Sequence, residues 1–493
     1  MGALPRTEPG PPPLRAVPRD DGERKRIARA SAWTVTSMIA TSALRLASQL
    51  VLAKLCLPEA FGAVALMRVF LTFVEMVSDM GIRGAVSYHP KGEEREFLST
   101  AFGVAALRGL AMWLITCAIA WPASLFYEQP LLLFLLPIAG LESVNNGLLS
   151  VRVYVEERRL RQMVPTLLDV FALVVSILTS VGWALYRPGA WALAAGPLFG
   201  GFAKALVSHW WYRKEPVPLG WNKEYARELF TYSRWILGST MVSFVAQQFH
   251  VLYLGKFLPA AMLGVYQLSW NFCSQSSKPI TALANRVIIP HYAELNRRAP
   301  AEHGPLVRRS LSSFLPACLT ACVVSDLGAP ALFGLLYNDS YQDSGWMGIQ
   351  FAVVVWFMIL QHVPRSALLS LGESRGVAGM SFWNAGLTVV GIVGGYAVGG
   401  GSITGAIVGN ALGNVAGCAF GGYVMHLRGL AVGRAMSAYS LLFLAALAGG
   451  VGLARAFVWA GWLASAWAYL AVTLGFSLPL AFWVWRSLRA RAR

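Results

Sequence analysis

The chain has 493 residues, of which 56% are hydrophobic and 13% charged, with a formal net charge of +17. A soluble domain carries roughly 25% charged residues. A core of this size could not hide so much apolar sequence, so the bilayer is the expected solvent. The basic residues stand at the ends of apolar runs rather than on a continuous face, which argues against nucleic acid as a partner.

Residues 1–30 are rich in Pro and Arg and read as a disordered cytosolic tail, with Arg24, Lys25, Arg26 and Arg29 holding that end inside. A membrane-crossing helix needs about 20 mostly apolar residues. That rule predicts fourteen spans: 33–54, 60–81, 97–120, 128–151, 163–186, 189–211, 234–255, 261–285, 311–336, 346–369, 376–399, 402–425, 437–457 and 462–485. Of the 41 Lys and Arg, four (Lys54, Arg187, Lys256, Arg455) fall in loops on one side and six within spans; the other thirty-one are on the side of the termini. This asymmetry places both termini in the cytoplasm of a multi-pass bacterial cell-membrane protein. The longest inside loop, 212–233, carries Trp221, Tyr225, Leu229 and Tyr232 at helical spacing and is expected to lie in the membrane interface. The fold class expected is an all-α polytopic membrane protein. Its parts are the tail, an N-terminal lobe over 31–232 with the interfacial helix, a C-terminal lobe over 233–432, and two further spans with a basic tail over 433–493.

The first span ends in LAKLCLPEAFGAVALMRVF (52–70), and LGKFLPAAMLGVYQLSW (254–270) repeats it. Lys54 and Gly62 recur as Lys256 and Gly264 at an offset of 202 residues, which also carries Trp33 onto Trp235 and Ser37 onto Ser239. The chain therefore reads as an internal duplication. In the first span Ser37, Thr41, Arg45 and Ser48 share a helical face; the same offset gives Ser239, Ser243, Gln247 and His250 in the seventh. Arg68, Thr72, Glu75 and Asp79 share a face in the second span, and Gln267, Asn271, Ser274, Lys278, Thr281 and Asn285 in the eighth. Charges at the bilayer centre are costly and face a cavity or a partner. Two lobes around a shared central cavity are the simplest arrangement.

Arg45, Arg68, Lys278 and Arg286 are the candidate cavity cations. Ser48, Gln247, His250 and Asn271 are candidate polar lining, and Glu75, Asp79 and Asp169 are candidates for ion coupling. Two readings of the acids stay open: structural ion pairs with Arg68 and Arg83, or titration during transport. Glu142, Asn145 and Asn146 cluster in the fourth span; Asp326, Gln361, His362, Asn410 and Asn414 are expected to bond neighbouring helices, and Lys204 to snorkel. Glycines 401, 405, 409, 413, 417 and 421 in four-residue steps read as close helix packing. The six cysteines read as small buried residues, not a metal site. There is no GxxxxGK[ST] or HExxH, and no cofactor is expected. The outside loops are too short for an enzyme domain.

LAKLCLPEAFGAVAL resembles the turn near the start of bacterial polysaccharide flippases, of the multidrug/oligosaccharidyl-lipid/polysaccharide exporter superfamily. LGKFLPAAMLGVYQLSW, VIIPHYAEL, LLYNDSYQDSGWMGIQ, LLSLGESRGVAGMSFWNAGL and GGGSITGAIVGNALGN resemble later segments of the same family, in the same order, over roughly residues 30–485. Leu57 departs from the glycine usual before Pro58. The resemblance implies a V-shaped, two-lobed transporter of O-antigen type, not an enzyme. It would flip an undecaprenyl-diphosphate-linked oligosaccharide to the outer leaflet by alternating access, for surface polysaccharide biosynthesis. It also implies cavity cations for the diphosphate. The implied partners are that lipid-linked oligosaccharide and membrane lipids, together with a polysaccharide polymerase and glycosyltransferases. The alternatives are a lipid II flippase, a multidrug or cation antiporter of the same superfamily, and a membrane scaffold.

Overall fold

The computed structural model describes residues 40–78, 82–159, 161–283, 303–371, 373–427 and 433–492; they form helices and turns, with no strand among them. In the first half, α1 (40–55) turns into α2 (Pro58–Ser78), followed by the short α3 (Ile82–Tyr88). Next come α4 (Arg95–Phe126), α5 (Leu132–Gly147), α6 (Arg152–Arg158), α7 (Met163–Tyr186) and α8 (Ala190–Trp211). The second half runs α9 (Lys223–Phe257), α10 (Ala260–Ser274), α11 (Ser277–Leu283), α12 (His303–Leu336), α13 (Asp343–Ser370), α14 (Ser374–Val398) and α15 (Ile403–Leu427). Two last helices, α16 (Gly433–Trp459) and α17 (Ser465–Ala492), pack on α12.

Among the described residues, helices fall within each of the fourteen expected stretches. Among the described residues, eight are by themselves long and apolar enough to cross a membrane, or nine if α5 and α6, bent by 59°, count as one span. The shortfall has a physical cause. The helices of the two repeats carry charge and polarity (α2 holds Glu59, Arg68 and Glu75) or are short, as α10 is with 15 residues.

The eighth span is broken at Gln275–Ser276, between α10 and α11. Pro279 explains the break: it has no N–H to give the carbonyl four residues back, that of Gln275. The Lys278 amide reaches this carbonyl instead, at a long 3.4 Å.

The 212–233 loop differs from expectation. α9 runs unbroken from Lys223, started by Asn222, whose side chain accepts from the amides of Glu224 (2.8 Å) and Tyr225 (3.4 Å). Tyr225, Ala226 and Leu229 are buried in a cluster with Ile82, Val86, Phe97 and Leu98 of α3 and α4, while Trp221 stays exposed. The stretch is thus the start of the seventh span's own helix, docked on protein rather than laid on lipid. The expected lobe boundary at 232–233 falls inside this helix.

The repeated corners meet. A Cβ added at Gly62 would lie 1.9 Å from the Ala260 carbonyl oxygen, and one at Gly264 would lie 2.0 Å from that of Pro58. Pro58 and Ala260 are themselves related by the offset of 202. The contact is therefore reciprocal, as at a two-fold interface where i meets j and j meets i. The glycines recur because neither corner leaves room for a side chain.

Around this contact each half grips the other. Tyr127, after α4, donates its hydroxyl to Leu252 O (3.1 Å), and Lys256 Nζ reaches Phe126 O (2.7 Å) and Glu128 Oε1 (2.8 Å). In the mirror position, after α12, Tyr341 donates to Cys56 O (2.9 Å) and Asn338 Nδ2 to Lys54 O (3.3 Å). Tyr341 is only 1% exposed. The loop it sits in reads from sequence as a solvated turn; Asp339 and Asp343 are exposed as expected, but the tyrosine between them is a latch.

Gly264→Val is expected to force the corners apart. Overpacking against backbone costs about 1–3 kcal/mol, which biases the protein about 5- to 150-fold toward a state open at this end. Spin labels at the exposed Leu57 and Phe257 should report a longer distance in the variant; an unchanged distance would contradict the close contact.

Lys256 also holds the Glu128 carboxyl below its ordinary pKa. A depressed carboxylate contributes its stabilisation above the ordinary pKa and loses it as pH falls through the depressed value. Acidification through that range is expected to lengthen the same label distance, and Glu128→Gln to abolish the pH response.

Candidate functional site: a cavity between the lobes

A cavity of about 1060 Å³ lies between the two halves, lined by α1, α2, α3, α6, α7 and α8 on one side and by α9, α10 and α11 on the other. The paired corners cover one end, where Leu52 and Phe61 line it. At the other end the lining residue Arg83 is solvent-exposed, so the cavity opens there.

Thr41, Arg45, Ser48 and Gln49 of α1 line the cavity, as do Arg68 and Thr72 of α2 and Gln267, Asn271, Gln275 and Lys278 of α10–α11. The polar stripes of the first, second and eighth spans thus converge. The seventh-span stripe is displaced. Gln248 lines the cavity, while Gln247 does not. His250 is 3% exposed and packs its ring against Tyr266 and Trp270, at centroid distances of 5.8 and 4.9 Å. It is a core residue, not cavity lining. The offset of 202 aligns α9 with α1 in sequence, but not in the face each turns to the cavity. Arg286 and Asp79 lie outside the described residues.

The charges sort into pairs and leftovers. Arg68 Nη1 meets Glu142 Oε2 of α5 at 2.8 Å, rather than the acids of its own helix. Glu75 lies off the cavity lining and accepts from Asn146 Nδ2 of α5 at 3.4 Å. Lys204 Nζ of α8 meets Asp169 Oδ1 of α7 at 2.6 Å. Asp169, proposed from sequence for ion coupling, is thus in an ion pair, as is Lys204, which does not simply snorkel. Arg83 is paired with Glu157. Neither pairing was legible, because each joins helices far apart in sequence. The isolated amides do bond neighbours: Asn145 Nδ2 donates to Leu198 O (3.0 Å), and Gln361 Nε2 to Asn384 Oδ1 and Asn414 Oδ1 (3.1 Å each).

Two cavity cations remain. Arg45 and Lys278 make no ion pair or side-chain hydrogen bond with any described residue, and both are exposed to the cavity. They come from opposite lobes and line the same cavity. Two like charges in one cavity, without a counterion among the described residues, suit an anion. Among the described residues no cluster of His, Cys, Asp or Glu could hold a metal ion.

Residues 51–342 match the sequence profile of a family described as "Polysaccharide biosynthesis protein". The chain belongs to this family. Similar named proteins include the amylovoran biosynthesis protein AmsL of Erwinia amylovora, 24% identical over 61% of this chain and 77% of that one. Another is the succinoglycan biosynthesis transport protein ExoT of Rhizobium meliloti, 23% identical over 78% of this chain and 76% of that one. Among solved structures, the lipid II flippase MurJ in an inward closed conformation superposes with a TM-score of 0.66 over 94% of this chain and 99% of that one, at 12% identity. An inward-facing multidrug transporter of the MATE family and MOP superfamily gives 0.58 over 81% and 95%, at 15% identity. At such identities the likeness is one of fold. The polysaccharide biosynthesis family and the MOP transporter fold therefore agree with the resemblance carried by the sequence motifs. The chain is a multi-pass membrane protein of that fold.

Proposed function

We propose that this protein flips an undecaprenyl-diphosphate-linked oligosaccharide from the cytoplasmic to the outer leaflet, by alternating access of the cavity between its lobes. The observation that carries the reading is the juxtaposition of Arg45 and Lys278. They are unpartnered among the described residues, come from opposite lobes, and lie in a cavity whose other cations are neutralised. A diphosphate supplies the missing counter-charge. It binds across the lobe boundary, so its arrival and departure change the force between the lobes. The lipid tail stays in the bilayer while the head group crosses.

The asymmetry of Lys and Arg supports placing the paired corners outside and both termini in the cytoplasm. The cavity then opens inward, ready to load. The protein acts as a transporter and catalyses no covalent step; polymerase and glycosyltransferases would act before and after it. A cation-extruding antiporter fits poorly, because the uncompensated positive charge repels cationic cargo. A lipid II flippase is the second reading, favoured by the extent of the MurJ superposition, which reaches into the C-terminal helices.

Reconstitution in liposomes tests the proposal. Undecaprenyl diphosphate carrying a labelled saccharide, placed on the leaflet facing the cavity mouth, should reach the other leaflet only with the protein present. Extrusion of a cationic dye without lipid movement would overturn it. Rescue of a strain depleted of its lipid II flippase would move the assignment to the second reading.

A further inference from the structure

The two walls of the cavity differ in chemistry. Apart from Arg45, the first-lobe wall holds its charges in pairs: Arg68 with Glu142, Arg83 with Glu157 and Lys204 with Asp169. Below Lys278, the second-lobe wall has no charge in the lining and presents amides: Gln248 from α9 and Gln267, Asn271 and Gln275 from α10 and its end. The last three fall at four-residue steps on one helical face and span about 12 Å at 1.5 Å per residue.

These amides are uncommitted. The side chains of Gln248 and Gln275 make no hydrogen bond with any described residue. Gln267 donates to Asn271 Oδ1 at 3.0 Å, but its own Oε1 is buried without a partner. A buried acceptor left unmade is costly. Gln275 stands where the eighth span breaks and lines the cavity, and its carbonyl accepts a long 3.4 Å bond from the Lys278 amide. An amide offers two donors and an acceptor without charge. A row of them matches sugar hydroxyls, which both donate and accept.

We infer that Gln248, Gln267, Asn271 and Gln275 form the saccharide-reading wall of the cavity, and that this wall selects a glycan whose sugar next to the diphosphate carries no acidic group. The inference rests on the proposed function: with the diphosphate between Arg45 and Lys278, the glycan runs from Lys278 along α10 toward the corners. Charge balance supplies the selection. The two unpartnered cations are used by the diphosphate, and the remaining three already have carboxylate partners. A sugar carboxylate on the amide wall would meet no free cation.

Equilibrium binding to the full-length chain in nanodiscs tests this with three ligands: undecaprenyl diphosphate alone, the same lipid bearing one neutral hexose, and the same lipid bearing one hexuronic acid. The wild type is expected to bind the hexose ligand about tenfold tighter than the bare lipid, and the hexuronate no tighter than the bare lipid. Gln248→Ala with Gln275→Ala should erase the tenfold preference for the hexose; Gln275→Asn, which keeps an amide, should restore part of it. Equal affinity of the wild type for hexose and bare lipid, a preference unaltered in the alanine variant, or tighter hexuronate binding would each overturn the inference. Failure of the bare lipid to bind the wild type would instead overturn the proposed function, and the inference with it. A melting temperature of the alanine variant matching wild type shows that it folds.

Discussion

Replacing Arg45 and Lys278 together by alanine is expected to abolish export of the surface polysaccharide while the protein still folds and inserts. Hydrogen bonds to charged groups contribute about 1.5–3 kcal/mol each, so losing both cations costs about 3–6 kcal/mol of head-group binding, or about 10²- to 10⁴-fold in affinity. Folding should be spared, because neither side chain has a partner among the described residues and both are exposed. Either single change is expected to weaken binding about 10- to 100-fold. Lys204→Ala should do less, since that charge is already met by Asp169. Surface polysaccharide per cell, set against the amount of inserted protein, measures the effect; wild-type export from the double variant would contradict it.

The second large effect concerns stability. Gly409→Val is expected to destabilise the protein by about 1–3 kcal/mol, at the upper end of the range for overpacking, because the obstacle is backbone rather than a side chain that can turn away. A Cβ at Gly409 would sit 1.8 Å from Gly391 O, and one at Gly391 would sit 2.1 Å from Gly409 O. One turn along, Gly395 and Gly405 repeat the reciprocal approach at 2.2 and 2.3 Å. α14 and α15 therefore touch backbone to backbone, the arrangement that small residues permit in lipid. Gly400 and Gly401, with φ of 64° and 81°, make the tight return between them. Gly394 on the same helix has nothing within 4 Å of its Cβ position. Gly394→Ala should therefore leave the melting midpoint in detergent unchanged or higher by the usual glycine-to-alanine gain of about 0.5–1 kcal/mol, whereas Gly409→Val should lower it clearly. Equal midpoints would mean that the helices are not in this contact.

What could be read from the sequence followed from which interactions are local. Span positions depend on apolar length, so α7 (Met163–Tyr186) falls on the expected 163–186 and α15 within two residues of its expected ends. The stripe on α1 was legible because Thr41, Arg45 and Ser48 lie on one face of one straight helix. The same reasoning missed on α9: an offset between repeats says nothing of how each helix is rotated, so Gln248 takes the place expected of Gln247, and His250 belongs to the core. The four-residue glycine step of α15 was legible, but its partner row, Gly391 and Gly395, was not. The pairings of Arg68 with Glu142 and of Lys204 with Asp169 join helices that only the fold brings together. Two features did carry signals: Pro279 marks the break at Gln275, and the recurrence of Pro58 and Gly62 at Ala260 and Gly264 marks positions where both halves exclude a side chain.

The central claim is that one diphosphate bridges the two lobes through Arg45 and Lys278. The most direct measurement is a cryo-electron microscopy map of the full chain in a nanodisc with undecaprenyl diphosphate. Density for both phosphates is expected between the Arg45 guanidinium and the Lys278 ammonium, with Arg68 still on Glu142 and Lys204 still on Asp169. Diphosphate density on Arg68 or Lys204, with their carboxylate partners displaced and Arg45 and Lys278 left bare, would contradict it.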